Sequence, residues 1–289
     1  MPTPRCAAIH DLSGVGRCSL TVALPVLSAM GVQCCPLPTA LLSTQTGGFE
    51  NFTFLDLSHE MASISAHWAT LGLSFQAIYS GFLGSAQQID LVSQFFRAFR
   101  REGTLVVVDP VMGDHGEIYQ TYTAELCTGM AQLAAQADVI TPNLTEAALL
   151  LGLPADALEH RDEAAYGEVV QALSLSGRRS VVLTGVSLSP VQVGAMCFDA
   201  SDRSCHTVQS TRVPREFPGT GDLFASVLTG ALLQKAPLPA AAAQAADFVR
   251  LCMERTVAQD LPPREGVDFE PLLGHLVPDP PKSDSISSK

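Results

Sequence analysis

Pro218-Gly219-Thr220-Gly221-Asp222 runs directly into an apolar stretch, Leu223-Phe224-Ala225-Ser226-Val227-Leu228. Glycines at a helix start let successive backbone N–H groups point at one spot, where the helix dipole also favours negative charge. Gly219, Thr220 and Gly221 would then form an anion hole, with Asp222 in the first helical turn facing the bound phosphate. A carboxylate there can take the proton of an attacking hydroxyl while the N–H groups hold a transferring phosphoryl group. The same five residues also describe a plain glycine turn with an acidic residue at a helix N-terminus.

Two further carboxylate segments stand at strand ends. Asp109-Pro110-Val111-Met112-Gly113-Asp114 follows the strongest strand pattern of the chain, a place suited to metal or phosphate work, or to a turn cap. In Thr141-Pro142-Asn143-Leu144-Thr145-Glu146, Asn143 and Glu146 lie three apart across a helix start, so both can face one cleft. Glu146 there could hold Mg²⁺ or its water shell, or could close a capping box. Ile9-His10-Asp11-Leu12-Ser13-Gly14-Val15-Gly16 is a glycine-rich turn that lacks the third glycine of a dinucleotide fingerprint, and no G-x-x-x-x-G-K-[ST] loop occurs. His10 on its own is expected to be a structural residue at a strand end. Gln45-Thr46-Gly47-Gly48-Phe49 offers backbone amides to a ligand or is a flexible loop, and His59, His67 and Trp68 are expected to pack or face solvent.

The elements that must position these residues alternate. β-type runs at 6–9, 32–35, 77–79, 105–108 and 138–141 are each followed by helical patterns, a last such run lies at 180–183, and Leu105-Val106-Val107-Val108 is an uninterrupted buried-strand run. The segments 191–198 and 205–208 flank the polar turn Ala200-Ser201-Asp202-Arg203-Ser204 and predict an antiparallel hairpin, with helices over 221–233 and 240–257 closing the chain. The expected fold is α/β: a doubly wound, mostly parallel sheet flanked by helices, with an antiparallel edge hairpin, in one domain over 1–277. Ligands of such sheets sit beyond the carboxyl ends of the strands, where the loaded residues fall. The Pro/Ser-rich tail 278–289 is expected to be disordered.

The 289 residues, 47% hydrophobic, supply a sizeable core, and the formal net charge of −12 argues against nucleic acid or an anionic membrane as partner. An anionic ligand would have to be attracted by helix N-termini, backbone amides and bound metal. Eight scattered cysteines without C-x-x-C, no signal-peptide pattern and no apolar run long enough to span a bilayer predict a soluble cytoplasmic protein.

In their order along the chain, Ser80-Gly81-Phe82-Leu83-Gly84-Ser85, Asp109-Pro110-Val111-Met112-Gly113, Thr141-Pro142-Asn143-Leu144-Thr145-Glu146 and Gly219-Thr220-Gly221-Asp222 resemble the pyridoxal (vitamin B6) kinase family of the ribokinase-like superfamily. The similarity runs from about Ala7 to Thr256. It implies ATP and Mg²⁺, transfer to the 5′-hydroxymethyl group of pyridoxal, pyridoxamine or pyridoxine, and a homodimer. It casts Asp222 as base and Gly219, Thr220 and Gly221 as anion hole. Asp109 and Glu146 would serve metal and phosphates, Thr141, Asn143 and Thr184 would lie near the nucleotide, and Asp11, Thr46, Gly47 and Phe82 near the vitamin. The chain departs from many relatives in carrying Asp11 where Ser is common, Phe82 where Tyr is common, and Leu183-Thr184-Gly185 where a Lys is often seen. A hydroxymethylpyrimidine kinase on the same fold, or a non-catalytic nucleotide or vitamin sensor, are the alternatives.

Overall fold

The computed structural model describes residues 3–120 and 122–278; the tail from 279 onward lies outside the described residues. The strands, in chain order, are Arg5–Ser13 (β1), Gln33–Leu42 (β2), Phe54–Asp56 (β3), Ala77–Ser80 (β4), Leu105–Val108 (β5), Gly113–Asp114 (β6), Glu117–Ile118 (β7), Val139–Ile140 (β8), Ser180–Ser189 (β9), Gln192–Asp199 (β10) and Ser204–Thr211 (β11). The helices are Ser19–Ala29 (α1), Ser58–Thr70 (α2), Ala86–Phe99 (α3), Ala124–Ala134 (α4), Leu144–Leu150 (α5), Glu163–Leu173 (α6), Thr220–Leu233 (α7) and Leu238–Ala258 (α8).

Among the described residues, nine strands form one sheet in the order β11-β10-β9-β8-β5-β4-β1-β2-β3. The pairs from β2 through β1, β4, β5 and β8 to β9 are parallel. Both edges are antiparallel: β9-β10-β11 on one side and β2-β3 on the other. The expected ribokinase-like α/β architecture is therefore present. It has a second antiparallel edge that the sequence pattern did not announce.

Strand alternation builds two cores. Cys6 and Ala8 of β1, Tyr79 of β4 and Val107 of β5 face α1, α7 and α8. Ala7, Ile9, Ile78, Val106 and Val108 face α2 to α6. Burial on both faces is why β5 is Val-rich without polar interruption. Helix starts follow from local chemistry: Ser85, Thr123 and Asp162 each accept an N–H of the first turn, from Gln88, Leu126 and Ala165.

Two strands run further than their propensity suggested. β2 continues through Pro36 and Pro38 as far as Leu42; its outer side is free below Ala40, so the missing proline N–H groups cost no ladder bond. β9 continues past Leu183 to Ser189 and turns tightly into β10, with a register shift opposite Gly185. The small hairpin β6-β7 turns through His115 and Gly116, both at positive φ (51° and 76°), the geometry of a two-residue hairpin loop. No described helix is long and apolar enough to cross a membrane.

Leu228, fully buried where α7 packs into the first core, tests this packing. Leu228→Ala should lower unfolding free energy by about 2–5 kcal/mol, the usual cost of such a cavity, with an unchanged denaturant slope in urea melts.

Candidate active site

The N-terminus of α7 depends on a left-handed glycine. Gly219 sits at φ +81°, and a Cβ there would lie 1.9 Å from the carbonyl oxygen of Arg17. Both the conformation and the contact demand glycine. Thr220 Oγ1 donates back to the Phe217 carbonyl at 3.2 Å. The opening N–H groups of α7 have no partner within the helix, the arrangement that can accept an anion.

Asp222 stands in that first turn, its side chain 15% exposed. Burial pushes its pKa up to about 7; a backbone N–H of Ser19 acts the other way, and the charges of Asp109 and Asp11 push it further up. Ser19 is left-handed (φ +49°), and its Oγ donates to Asp11 Oδ1 at 2.6 Å, while Ser13 Oγ donates to Asp11 Oδ2 at 2.9 Å. Asp11 is buried, raised by that burial and lowered by these two hydroxyls. Its carboxylate thus ties the turn after β1 to the start of α1. A register shift between β1 and β2 falls at this point, between His10 and Leu12. Such irregularities re-aim side chains beside functional sites.

Asp109 follows β5 and is buried; Thr141 Oγ1 donates to it at 2.8 Å. Burial lifts its pKa to about 7, with the Thr141 hydroxyl opposing. Glu146 closes a capping box with Asn143: Asn143 N–H donates to Oε2 at 2.9 Å, and Glu146 N–H donates to Asn143 Oδ1 at 2.9 Å. Its other oxygen accepts from Met112 N–H at 3.2 Å. Burial, then the charge of Asp109, raises Glu146 well above the usual carboxylate range. Asn143 Nδ2 donates to the Gly113 carbonyl at 2.9 Å, fastening the β6-β7 hairpin to α5. Thr184 donates its N–H to the Pro142 carbonyl at 2.9 Å, which brings β9 against the same turn.

The structure thus gathers Asp11, Asp109, Glu146 and Asp222, with Thr141, Asn143 and Thr184 alongside. Thr46 and Gly47 are exposed in the loop after β2, where a Cβ on Gly47 would lie 3.6 Å from Pro218, the residue before Gly219. Phe82 packs on Tyr122 at 5.9 Å between ring centroids. Two further side chains border these carboxylates. Tyr119, just after β7, is 41% exposed; partial burial and then the charges of Glu146, Asp114, Asp222 and Asp109 push its hydroxyl up. The Gly-flanked turn Gly113–Gly116 was the available hairpin signal. The other is His10, 4.0 Å from Asp222. A single histidine in a strand carries no spacing signal of its own.

The family model of phosphomethylpyrimidine kinases matches residues 22–263. A pyridoxine/pyridoxal/pyridoxamine kinase of Bordetella avium is 33% identical over 241 residues, covering 77% of this chain and 75% of that protein. The chain belongs to this kinase family, in the ribokinase-like superfamily. Its members are phosphotransferases acting on alcohol groups. The pyridoxal kinase of Lactobacillus plantarum superposes with a TM-score of 0.86 at 34% identity, covering 94% of this chain and 96% of that one. A Bacteroides thetaiotaomicron protein described as a candidate phosphomethylpyrimidine kinase, solved with pyridoxal, superposes with a TM-score of 0.90 at 41% identity, covering 95% and 96%.

Mg²⁺ is the ion that the family resemblance implies. Among the described residues no cluster of three or more His, Cys, Asp or Glu side chains gathers as a cage. Mg²⁺ needs no such cage, since it keeps several waters and takes one or two carboxylates together with substrate phosphates. Asp109 and Glu146 fit that requirement, two buried carboxylates short of positive charge. Both Glu146 oxygens already accept a backbone N–H, so Glu146 suits the water shell and Asp109 suits the ion.

Asp109 and Asp222 hold their protons more tightly folded, near 7, than at the ordinary carboxylate value of 3.8. They contribute stability below the ordinary value that is lost as pH rises through about 7. Melting temperatures of the ligand-free protein should fall from about pH 5 to about pH 8, and Asp109→Asn/Asp222→Asn should flatten that fall. Parallel profiles for the two proteins would contradict it.

Proposed function

We propose that this kinase transfers the γ-phosphoryl group of ATP to the 5′-hydroxymethyl group of a vitamin B6 compound: pyridoxal, pyridoxamine or pyridoxine. The observation that carries the reading is Asp222 in the first turn of α7, directly after left-handed Gly219. The opening amides hold the phosphoryl group and Asp222 takes the hydroxyl proton. As the acceptor oxygen bonds to phosphorus, the bond from phosphorus to the bridging oxygen breaks and ADP leaves with its electron pair. With a pKa raised to about 7, Asp222 is a carboxylate strong enough as a base to do so. The resemblance to the Lactobacillus enzyme and to the pyridoxal-containing Bacteroides structure supports the acceptor.

Thr141, Asn143 and Thr184 border the nucleotide in this reading. Asp11, Thr46, Gly47 and Phe82 border the vitamin. Asp109 and Glu146 hold Mg²⁺ and its water, and the ion when bound offsets phosphate charge. We also assign a homodimer, with exposed Leu41, Phe54 and Leu55 at the β3 edge as its apolar surface, and a cytoplasmic setting that suits eight unpaired cysteines. The second reading, a hydroxymethylpyrimidine kinase, is favoured by the description of the matching family model.

ADP release measured against the three vitamers and hydroxymethylpyrimidine separates the two acceptors: turnover with the pyrimidine alone would overturn the B6 reading. Asp222→Asn should leave ATP affinity within a few fold and lower turnover by roughly 10²–10⁴, the range for loss of a general base. Near wild-type turnover would remove Asp222 from the mechanism. Glu146→Gln should raise the Mg²⁺ concentration for half-maximal activity, because an amide is a poorer anchor for a hard cation or its water. An unchanged Mg²⁺ dependence with a lowered melting temperature would leave Glu146 as a cap alone.

A further inference from the structure

His10 ends the straight part of β1 and is fully buried, with neither ring nitrogen in a hydrogen bond. Buried side-chain nitrogens nearly always find a partner, so two orphans on one ring call for a cause. The ring is wedged on three sides. Tyr79 of β4 meets it edge-on, with centroids 4.3 Å apart. Gly81 meets it with bare backbone: a Cβ there would lie 2.3 Å from Nδ1 and 2.5 Å from Cε1. On the third side, Nδ1 is 4.0 Å from Asp222 Oδ1. The glycine of Ser80-Gly81-Phe82 is thus explained by the imidazole it makes room for.

Burial drives the imidazole pKa down to about 3, so the ring is neutral and carries a single N–H. It cannot take a proton from Asp222 in the working range of an enzyme. What it can offer is a donor. An apolar side chain would fill the same space without leaving two polar atoms unpartnered in a core, which is costly. The remaining titratable groups facing Asp222 are Ser19's partner Asp11, then Asp109, Cys18, Tyr79 and Tyr119; the two carboxylates repel it. His10 is therefore placed to supply a neutral donor on a side of Asp222 otherwise crowded by like charge.

We propose that His10 is a positioning residue for the base: its Nδ1–H closes onto Asp222 Oδ1 when the site fills, leaving Oδ2 for the acceptor hydroxyl. The separation of 4.0 Å is beyond a hydrogen bond in the ligand-free protein. Bonds of this kind are commonly long before substrate binds and tighten in the complex. The inference rests on Asp222 as base and deepens that reading.

The test compares His10→Leu, which keeps volume and loses the donor, with His10→Asn, whose amide nitrogen falls near the place of Nδ1. His10→Leu should lower kcat roughly 10- to 100-fold, the worth of a hydrogen bond to a charged group, with KM for ATP and pyridoxal little changed and the melting temperature kept. His10→Asn should recover most of the loss. In an Asp222→Asn background, His10→Leu should cost nothing further. A kcat within about twofold of wild type for His10→Leu overturns the proposal, as does an undiminished loss in the Asp222→Asn background. A fully active Asp222→Asn enzyme would instead remove the base itself, a result read independently of His10. Should His10→Leu not fold, ¹⁵N-histidine spectra of the wild-type enzyme decide. The Nδ1-protonated tautomer, shifted on adding a non-hydrolysable ATP analogue with pyridoxal, is expected. The Nε2-protonated tautomer, unmoved by ligand, would overturn it.

Discussion

Three buried carboxylates, Asp11, Asp109 and Glu146, and the half-buried Asp222 lie near one another in a protein whose net charge is already −12. Among the described residues none is paired with a Lys or Arg; serine and threonine hydroxyls and backbone N–H groups are what hold them. Neutral donors stabilise an anion without cancelling its charge, so burial and mutual repulsion lift these groups toward neutrality. The site is left short of positive charge, and the fold leaves that shortage in place. On the proposed function, a metal ion and the amides of a helix start would relieve it. In that reading, an acidic kinase would attract a polyphosphate through backbone and ion, with side-chain charge left for the base.

Holding such a cluster needs a frame that does not relax. Parallel strands end together at one side of the sheet, which puts the turns after β8, β5, β4 and β1 in one row. The frame is then locked from the far end of the chain. Arg17, in the turn after β1, presses its carbonyl against Gly219, and a Cβ on Gly266 would lie 3.0 Å from that same oxygen. Its guanidinium bonds Asp268 at 3.1 Å and Glu270 at 2.8 Å, and Asp268 is bonded in turn by Arg255 of α8 at 2.6 Å. The first glycine-rich turn, the start of α7 and the C-terminal segment are so fixed as one piece. This packing, more than conformational freedom alone, is what makes Gly219 irreplaceable.

Much of this was readable from residues alone, where one rule decided each case. Leu105-Val106-Val107-Val108 announced a buried strand because both its faces are covered, and Asn143 with Glu146 announced a helix start because the capping box is local chemistry. What escaped depended on contacts distant in sequence. β2 runs through two prolines because its neighbour on that side is absent, a fact of topology. β3 is three exposed residues whose pairing is set by β2. Thr184 lies within β9 because an antiparallel partner extends that strand. His10 gains its meaning from Asp222, more than two hundred residues away, and from the bare backbone of Gly81.

Asp11 shows how such contacts alter a reading based on residue type. A carboxylate near a pyridine ring suggests direct capture of the ring nitrogen, yet each Asp11 oxygen already accepts a serine hydroxyl. Each oxygen keeps a further lone pair, so acceptance from a ring N–H is not blocked. The hydroxyls do fix the orientation of the carboxylate before any ligand arrives. On the proposed function, Asp11 would then act as an oriented charge, favouring a protonated ring or an ammonium-bearing vitamer through its field and its remaining lone pairs. Ser19 carries that orientation onward. Its hydroxyl holds Asp11 while its backbone N–H, in a left-handed conformation, faces Asp222. The charge that would meet the vitamin and the base that would deprotonate it thus share one residue. Geometry at the ring and geometry at the reacting hydroxyl are set together.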